Sequence, residues 1–121
     1  MSTDDATVRL VYGYIRADEP DEIEIALLRA DMAAYCQAHG YRLTNVCCDR
    51  GSDGTEWDRA GFTAALDALK LPSSYALLVP TLADLSTDEV VRQGLVRLVR
   101  RTGAKLLVLH SERTSESEAA S

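Results

Sequence analysis

Short apolar runs alternate with segments of helical period along this chain, and that alternation limits the fold more than any other feature. Residues 8–15, Val-Arg-Leu-Val-Tyr-Gly-Tyr-Ile, are a β-rich run suited to a central strand. Acids at Asp18, Glu19 and Asp21, with Pro20 among them, precede a segment in which Ile23, Leu27, Ala30 and Ala34 recur at helical spacing. Acidic side chains at such a start face the unpaired amides of the first turn. Gly40 is the expected stop, because glycine tolerates positive φ. Tyr41 to Cys48 form a second strand candidate, interrupted by polar Thr44 and Asn45. Asp49 to Asp58 read as a loop, and a second helix follows with Phe62, Ala65, Leu66 and Leu69.

After a turn at Pro72 to Ser74, Tyr75 to Val79 are almost wholly apolar, as in a strand covered on both faces. Ser86 is the expected N-cap of a third helix, with Glu89 completing a capping box and Val91, Leu95 and Leu98 on one face. Gly103 closes that helix, and Lys105 to Leu109 make the fourth strand. The order β-α-β-α-β-α-β predicts an α/β fold: a small three-layer sandwich around a four-stranded, mostly parallel sheet in a flavodoxin-like arrangement. The first helix is expected on one face and the other two on the opposite face. Residues 8–110 would be the folded unit, with residues 1–7 and the acidic segment 111–121 as disordered ends.

Composition narrows the function classes. The chain has 121 residues, 46% of them hydrophobic, which suffices for one core without metals or disulfides. Cys36, Cys47 and Cys48 fit neither a disulfide framework nor a zinc spacing, and read as idle thiols; a reactive Cys48 at a strand end is the sharper alternative. His39 and His110 lack the ligand spacing of a metal pair, and Trp57 reads as cover for the loop. No apolar run approaches the ~20 residues of a membrane span, and the acidic N-terminus is unlike a signal peptide, so a cytoplasmic protein is expected. The net charge is −6, and residues 8–110 alone carry −2. Such a balance argues against independent nucleic-acid binding, which relies on clustered Lys and Arg. The local exception is Arg97, Arg100, Arg101 and Lys105, read here as the basic last turn of a helix complementing its dipole.

In open parallel sheets, chemistry gathers beyond the carboxyl ends of the strands. Those ends fall at Arg16 to Asp18, Cys48 to Arg50, and Pro80 to Asp84. Three carboxylates there, Asp18, Asp49 and Asp84, could hold Mg²⁺ for phosphoryl transfer, since Mg²⁺ prefers hard oxygen ligands. The structural reading of the same residues is helix capping for Asp18 and turn formation for Asp49 and Asp84.

The strand ends also carry a resemblance. Gly13-Tyr14-Ile15-Arg16 closing the first strand resembles the opening of the catalytic domain in resolvase/invertase-type serine recombinases, where the pattern is Tyr-x-Arg-x-Ser. Tyr35 to Tyr41 is similar to that family's Tyr-Ala-x-x-x-Gly-Trp. Asp49 and Gly51 to Asp58, followed by Arg59-Ala60-Gly61-Phe62, are similar to its glycine- and serine-rich loop with Arg-Pro-x-Leu. Leu82 to Thr87 occupies the place of Leu-Asp-Arg-Leu-Ser-Arg, and the whole match spans roughly residues 8–110.

The resemblance implies a serine that attacks a DNA phosphodiester and an arginine cluster that stabilises the developing charge. At the equivalent positions this chain keeps Arg16 and Arg59. It has Asp18 in place of the serine, and Asp84 and Thr87 in place of two arginines. A carboxylate at Asp18 repels the phosphate a nucleophile must approach. The long helix and DNA-binding domain that follow in the family are not expected in this chain. The expectation is therefore a resolvase-like domain without catalytic residues, cofactor or metal. It would act by binding protein, either copies of itself or another partner. The alternatives are a Mg²⁺-dependent enzyme using Asp18, Asp49 and Asp84, or an active recombinase using Ser86 or Ser52.

Overall fold

The computed structural model describes residues 8–17, 19, 21–51 and 59–110. The expectations for Asp18, Ser52, Trp57 and the two chain ends lie outside these residues. The elements run β1 (Arg9–Ala17), α1 (Glu22–His39), β2 (Tyr41–Arg50), α2 (Ala60–Leu69), β3 (Ser74–Val79), α3 (Glu89–Arg101) and β4 (Lys105–Val108). A single 3-10 turn over Leu82–Asp84 sits between β3 and α3. The four strands form one sheet in the order β2-β1-β3-β4, and every pairing is parallel. This is the flavodoxin-like order, with its topological switch between β1 and β3.

Alternation along β1 divides the core in two. Val11 and Ile15 face α1 and pack with Ile25, Met32, Cys36, Ala76 and Leu78. Tyr12 and Tyr14 face the other way and pack with α2 and α3 through Phe62, Leu69, Leu95 and Val99. The expected three layers follow, with α1 alone on its face. Gly13 permits the close approach of α1: a Cβ there would lie 2.7 Å from Met32 Cε and 3.0 Å from Val46 Cγ2. Thr44 and Asn45 do not interrupt β2. The register with β1 slips there, pairing Val11 with Leu43 and Tyr12 with Asn45, so one polar residue is accommodated as a bulge.

Three local expectations are corrected. The α1 face built on Ile23, Leu27, Ala30 and Ala34 points to solvent, with Ile23 75% and Leu27 62% exposed. The inward face is Ile25, Leu28, Met32, Tyr35 and Cys36. Both stripes have helical period, but the inward one carries the bulk needed to fill the space above Gly13, whereas half of the outer one is alanine. On α3 the third buried position is Val99, with Leu98 half-buried beside it. The N-cap of α3 is Asp88, whose carboxylate accepts from Val90 N and Val91 N at 2.9 and 3.1 Å. Ser86 lies two residues earlier and is fully buried, its Oγ accepting from Asp88 N at 2.9 Å. Among the described residues, no helix is long and apolar enough to cross a membrane.

Candidate functional site at the strand ends

Two clusters stand at the carboxyl edge of the sheet, one on each side of β1. The first is centred on Asp49, whose Cα is paired with Arg16 across the β1–β2 ladder. The Asp49 carboxylate accepts from Gly61 N at 2.7 Å and from Phe62 N at 3.0 Å. Arg59, at the N-cap of α2, makes no side-chain cap of its own. Asp49 therefore caps α2 from a neighbouring strand, placing a negative charge on the helix's unpaired amides. This replaces the turn-forming role expected for it.

The same carboxylate accepts the Tyr14 hydroxyl at 2.7 Å, and Tyr14 is fully buried, edge-on to Phe62 with ring centroids 5.4 Å apart. Burial, reinforced by the Asp49 hydrogen bond, pushes the Tyr14 phenol well above the ordinary tyrosine range, and the nearby Arg59 guanidinium only partly offsets this. Tyr14 thus stays protonated and donates. Arg59 is only 3% exposed, so this guanidinium is turned into the cluster and away from solvent.

Gly61 makes the cap possible. A Cβ at this position would lie 2.9 Å from Asp49 Oδ1 and 3.0 Å from its Cγ. Gly61→Ala is expected to destabilise the domain by about 1–2 kcal/mol, even though alanine is intrinsically the better helix former by about 1 kcal/mol. Thermal unfolding followed by circular dichroism checks the sign. A raised melting temperature would mean that Asp49 gives way without losing its bonds.

The second cluster joins β1 to the segment after β3. Asp84 Oδ2 accepts the Arg16 backbone N–H at 3.3 Å, while Oδ1 accepts from Thr81 N at 3.2 Å and Thr81 Oγ1 at 3.0 Å. Arg16 Nη2 donates to the Ala83 carbonyl at 2.9 Å. Desolvation raises the pKa of Asp84 above its ordinary 3.8, against the opposing pull of these hydrogen bonds and of the Arg16 charge. Asp84 is thus the carboxylate half of a capping box that ties the 3-10 turn to β1. Thr87 is exposed beyond the turn.

A cleft of about 510 Å³ opens beside this cluster, between the ends of β1 and β3 and the start of α1. Among the described residues, its lining includes four carboxylates, Glu19, Asp21, Glu24 and Asp84, against the single guanidinium of Arg16. Such a lining repels a phosphodiester. Asp49 and Asp84 meanwhile spend their oxygens on backbone amides and hydroxyls. Among the described residues, no group of three or more His, Cys, Asp or Glu is placed to hold a metal ion. Ser86 has no exposed surface from which to attack a substrate. All three thiols are free, and burial is the main cause that raises Cys36, Cys47 and Cys48 above the ordinary thiol range. Cys48 is thereby disfavoured as a thiolate, although Arg50 and Arg29 pull the other way.

Sequence reasoning placed Tyr14, Arg16, Asp49, Arg59 and Asp84 at this edge, and the structure brings them into the two clusters. It missed Gly61 and Thr81, whose roles depend on contacts with another element or across a single turn. The Thr-x-x-Asp spacing from Thr81 to Asp84 was the one local signal available.

The family described as "Resolvase, N terminal domain" matches residues 11–121. Among solved structures, the C-terminal catalytic domain of ISC1926 TnpA, an IS607-like serine recombinase, superposes with a TM-score of 0.73 at 20% identity, covering 83% of this chain and 68% of that one. The N-terminal catalytic domain of TP901-1 integrase gives 0.72 at 19% identity, covering 84% and 78%. A resolvase family site-specific recombinase from Streptococcus pneumoniae gives 0.65 at 19% identity, covering 84% and 72%. At these identities the likeness is one of fold. No curated protein matches the chain.

Proposed function

The chain belongs to the resolvase N-terminal domain family, and from that premise we propose that it is a member that has lost DNA strand cleavage and works through protein contact. The observation that carries this reading is the pairing of charges at the strand ends. Each arginine kept from the family pattern shares its cluster with a carboxylate, Arg16 with Asp84 and Arg59 with Asp49. A transition state that gathers negative charge on a phosphate needs cations in excess and preorganised donors. Here each cation stands near a carboxylate of the fold itself, and the adjacent cleft is acidic.

The sequence adds Asp18 at the position of the attacking serine and Thr87 where a further arginine belongs. On this reading none of Arg16, Asp18, Arg59, Asp84 and Thr87 acts as a catalytic residue, and the working unit is residues 8–110 in the cytoplasm. Its partners are copies of itself or another protein, and it does not engage DNA on its own.

Incubation with supercoiled plasmid, in Mg²⁺ and in EDTA, tests the loss of cleavage. The plasmid is expected to stay supercoiled in both buffers. Nicking only with Mg²⁺, abolished by Asp18→Asn, would favour the metal-dependent alternative. Nicking in both buffers would overturn the reading altogether.

A further inference from the structure

We propose that the outer face of α3 is a docking groove for an acidic protein segment carrying an aliphatic side chain. The groove encloses about 300 Å³ and is lined by Leu82, Arg92, Gln93, Val96, Arg97 and Arg100. It lies on the opposite face of the sheet from α1 and apart from the acidic cleft. The proposal rests on the reading that this chain works through protein contact, and it names the surface and the chemistry of the partner.

The helix dipole accounts for only part of this basic face. Arg100 and Arg101 stand in the last turn, where a cation is favourable. Arg92 is the fourth residue of the helix, near the end where a cation opposes the dipole, and Arg97 is beyond the first turn and outside the last. Acidic neighbours do not explain them either. Among the described residues, Arg92, Arg97 and Arg100 form no ion pair, whereas Arg50 pairs with Glu22 and Lys70 with Asp67. Arg92 is anchored at one side, with Nη1 donating to the Ser86 carbonyl at 3.5 Å. Glu89 holds the Gln93 amide at 3.1 Å and closes the N-terminal end of the strip. The open part is therefore the stretch over Val96, Arg97 and Arg100.

The apolar floor decides between partners. Leu82 and Val96 are both half-buried, and both pack against the core that α3 covers. They offer a seat for a methyl-bearing side chain between guanidinium groups. A phosphodiester backbone has no group to place there, whereas an acidic peptide with one leucine fills the floor and meets the arginines with its carboxylates. Arginine suits this task because its planar fork can bind a carboxylate through two hydrogen bonds. The net charge of −6 also disfavours a long polyanion more than a short one.

The test is fluorescence anisotropy with a fluorescein-labelled Glu-Glu-Glu-Leu-Glu-Glu-Glu peptide and the full chain. Saturable binding is expected, weakening as salt is raised through the physiological range. The double variant Arg97→Glu/Arg100→Glu should weaken it by about tenfold or more, while Lys105→Glu, outside the groove, should change it by less than about threefold. Replacing the peptide leucine by serine should weaken binding by about threefold or more. Melting curves confirm that these exposed substitutions leave the fold intact. Absence of binding, equal effects of the Lys105 and arginine variants, or tighter binding of a duplex oligonucleotide that displaces the peptide would each overturn the proposal. Failure here would leave the plasmid result untouched, because neither Arg97 nor Arg100 belongs to the strand-end clusters.

Discussion

Asp49→Ala is expected to lower the folding free energy by about 3 kcal/mol, within the range for removing one partner of a buried, hydrogen-bonded charge. This carboxylate accepts from two backbone amides of α2 and from the Tyr14 hydroxyl. Capping contributes about 0.5–2 kcal/mol of the loss. The remainder comes from the surroundings of Tyr14 and Arg59, which are 0% and 3% exposed and lose the carboxylate bonded to the Tyr14 hydroxyl. Asp49→Asn should cost roughly half as much, since one carbonyl oxygen remains to accept while the amide NH₂ has donors for neighbours. Urea unfolding read by circular dichroism measures both. A loss below about 1 kcal/mol for the alanine variant would mean that α2 does not depend on a cap from β2.

Asp84→Arg, which returns this position to the family pattern, is expected to destabilise the domain by about 3 kcal/mol or more. It would set a cation against the Arg16 and Thr81 backbone donors and beside the Arg16 guanidinium. Asp84→Asn is the milder probe, and its effect depends on pH. Burial raises the Asp84 pKa above 3.8, so the folded protein holds this proton more tightly than the unfolded chain does. Stability from this group therefore falls as pH rises from the ordinary aspartate value through the elevated folded one, and is level above it. The asparagine variant lacks that slope. Its melting temperature relative to the wild type should rise across the same window and then stay constant. A relative decline with rising pH would mean that hydrogen bonding outweighs desolvation at Asp84.

Both predictions concern residues at the carboxyl edge of the sheet. In this chain the same positions stabilise local structure. Asp49 caps α2, Asp84 caps the 3-10 turn, and Arg16 is tied to Ala83. Each carboxylate removed would also release backbone donors, so a substitution at either position changes local stability as well as charge.

The fold was largely legible because periodicity and punctuation agree along the chain. Apolar runs alternate with helical segments, and Gly40 and Gly103 adopt the positive φ of 77° and 88° that helix endings use. Parallel pairing and the disposition of helices on two faces followed from that order. The orientation of α1 did not follow, because its sequence carries two apolar stripes and only the space above Gly13 chooses between them. The start of α3 was missed by two residues for a related reason. Ser86 and Asp88 are both good caps, and burial of Ser86 leaves the end of the helix to Asp88.

At the site, residue identities were legible and their partners were not. Asp49 and Gly61 are 12 positions apart and meet only because β2 ends beside the start of α2. The Arg16–Asp84 contact spans 68 positions. Local sequence patterns do not report such pairings, although alternation along β1 does place Tyr14 and Arg16 on the same face.

Trapping a covalent intermediate tests the loss of cleavage most directly. The wild-type chain is incubated with supercoiled DNA, quenched by rapid denaturation, digested with nuclease and weighed by mass spectrometry. The expected result is the unmodified protein mass. A wild-type species carrying a nucleotide linked to any serine would contradict the proposal that this resolvase domain no longer cuts DNA.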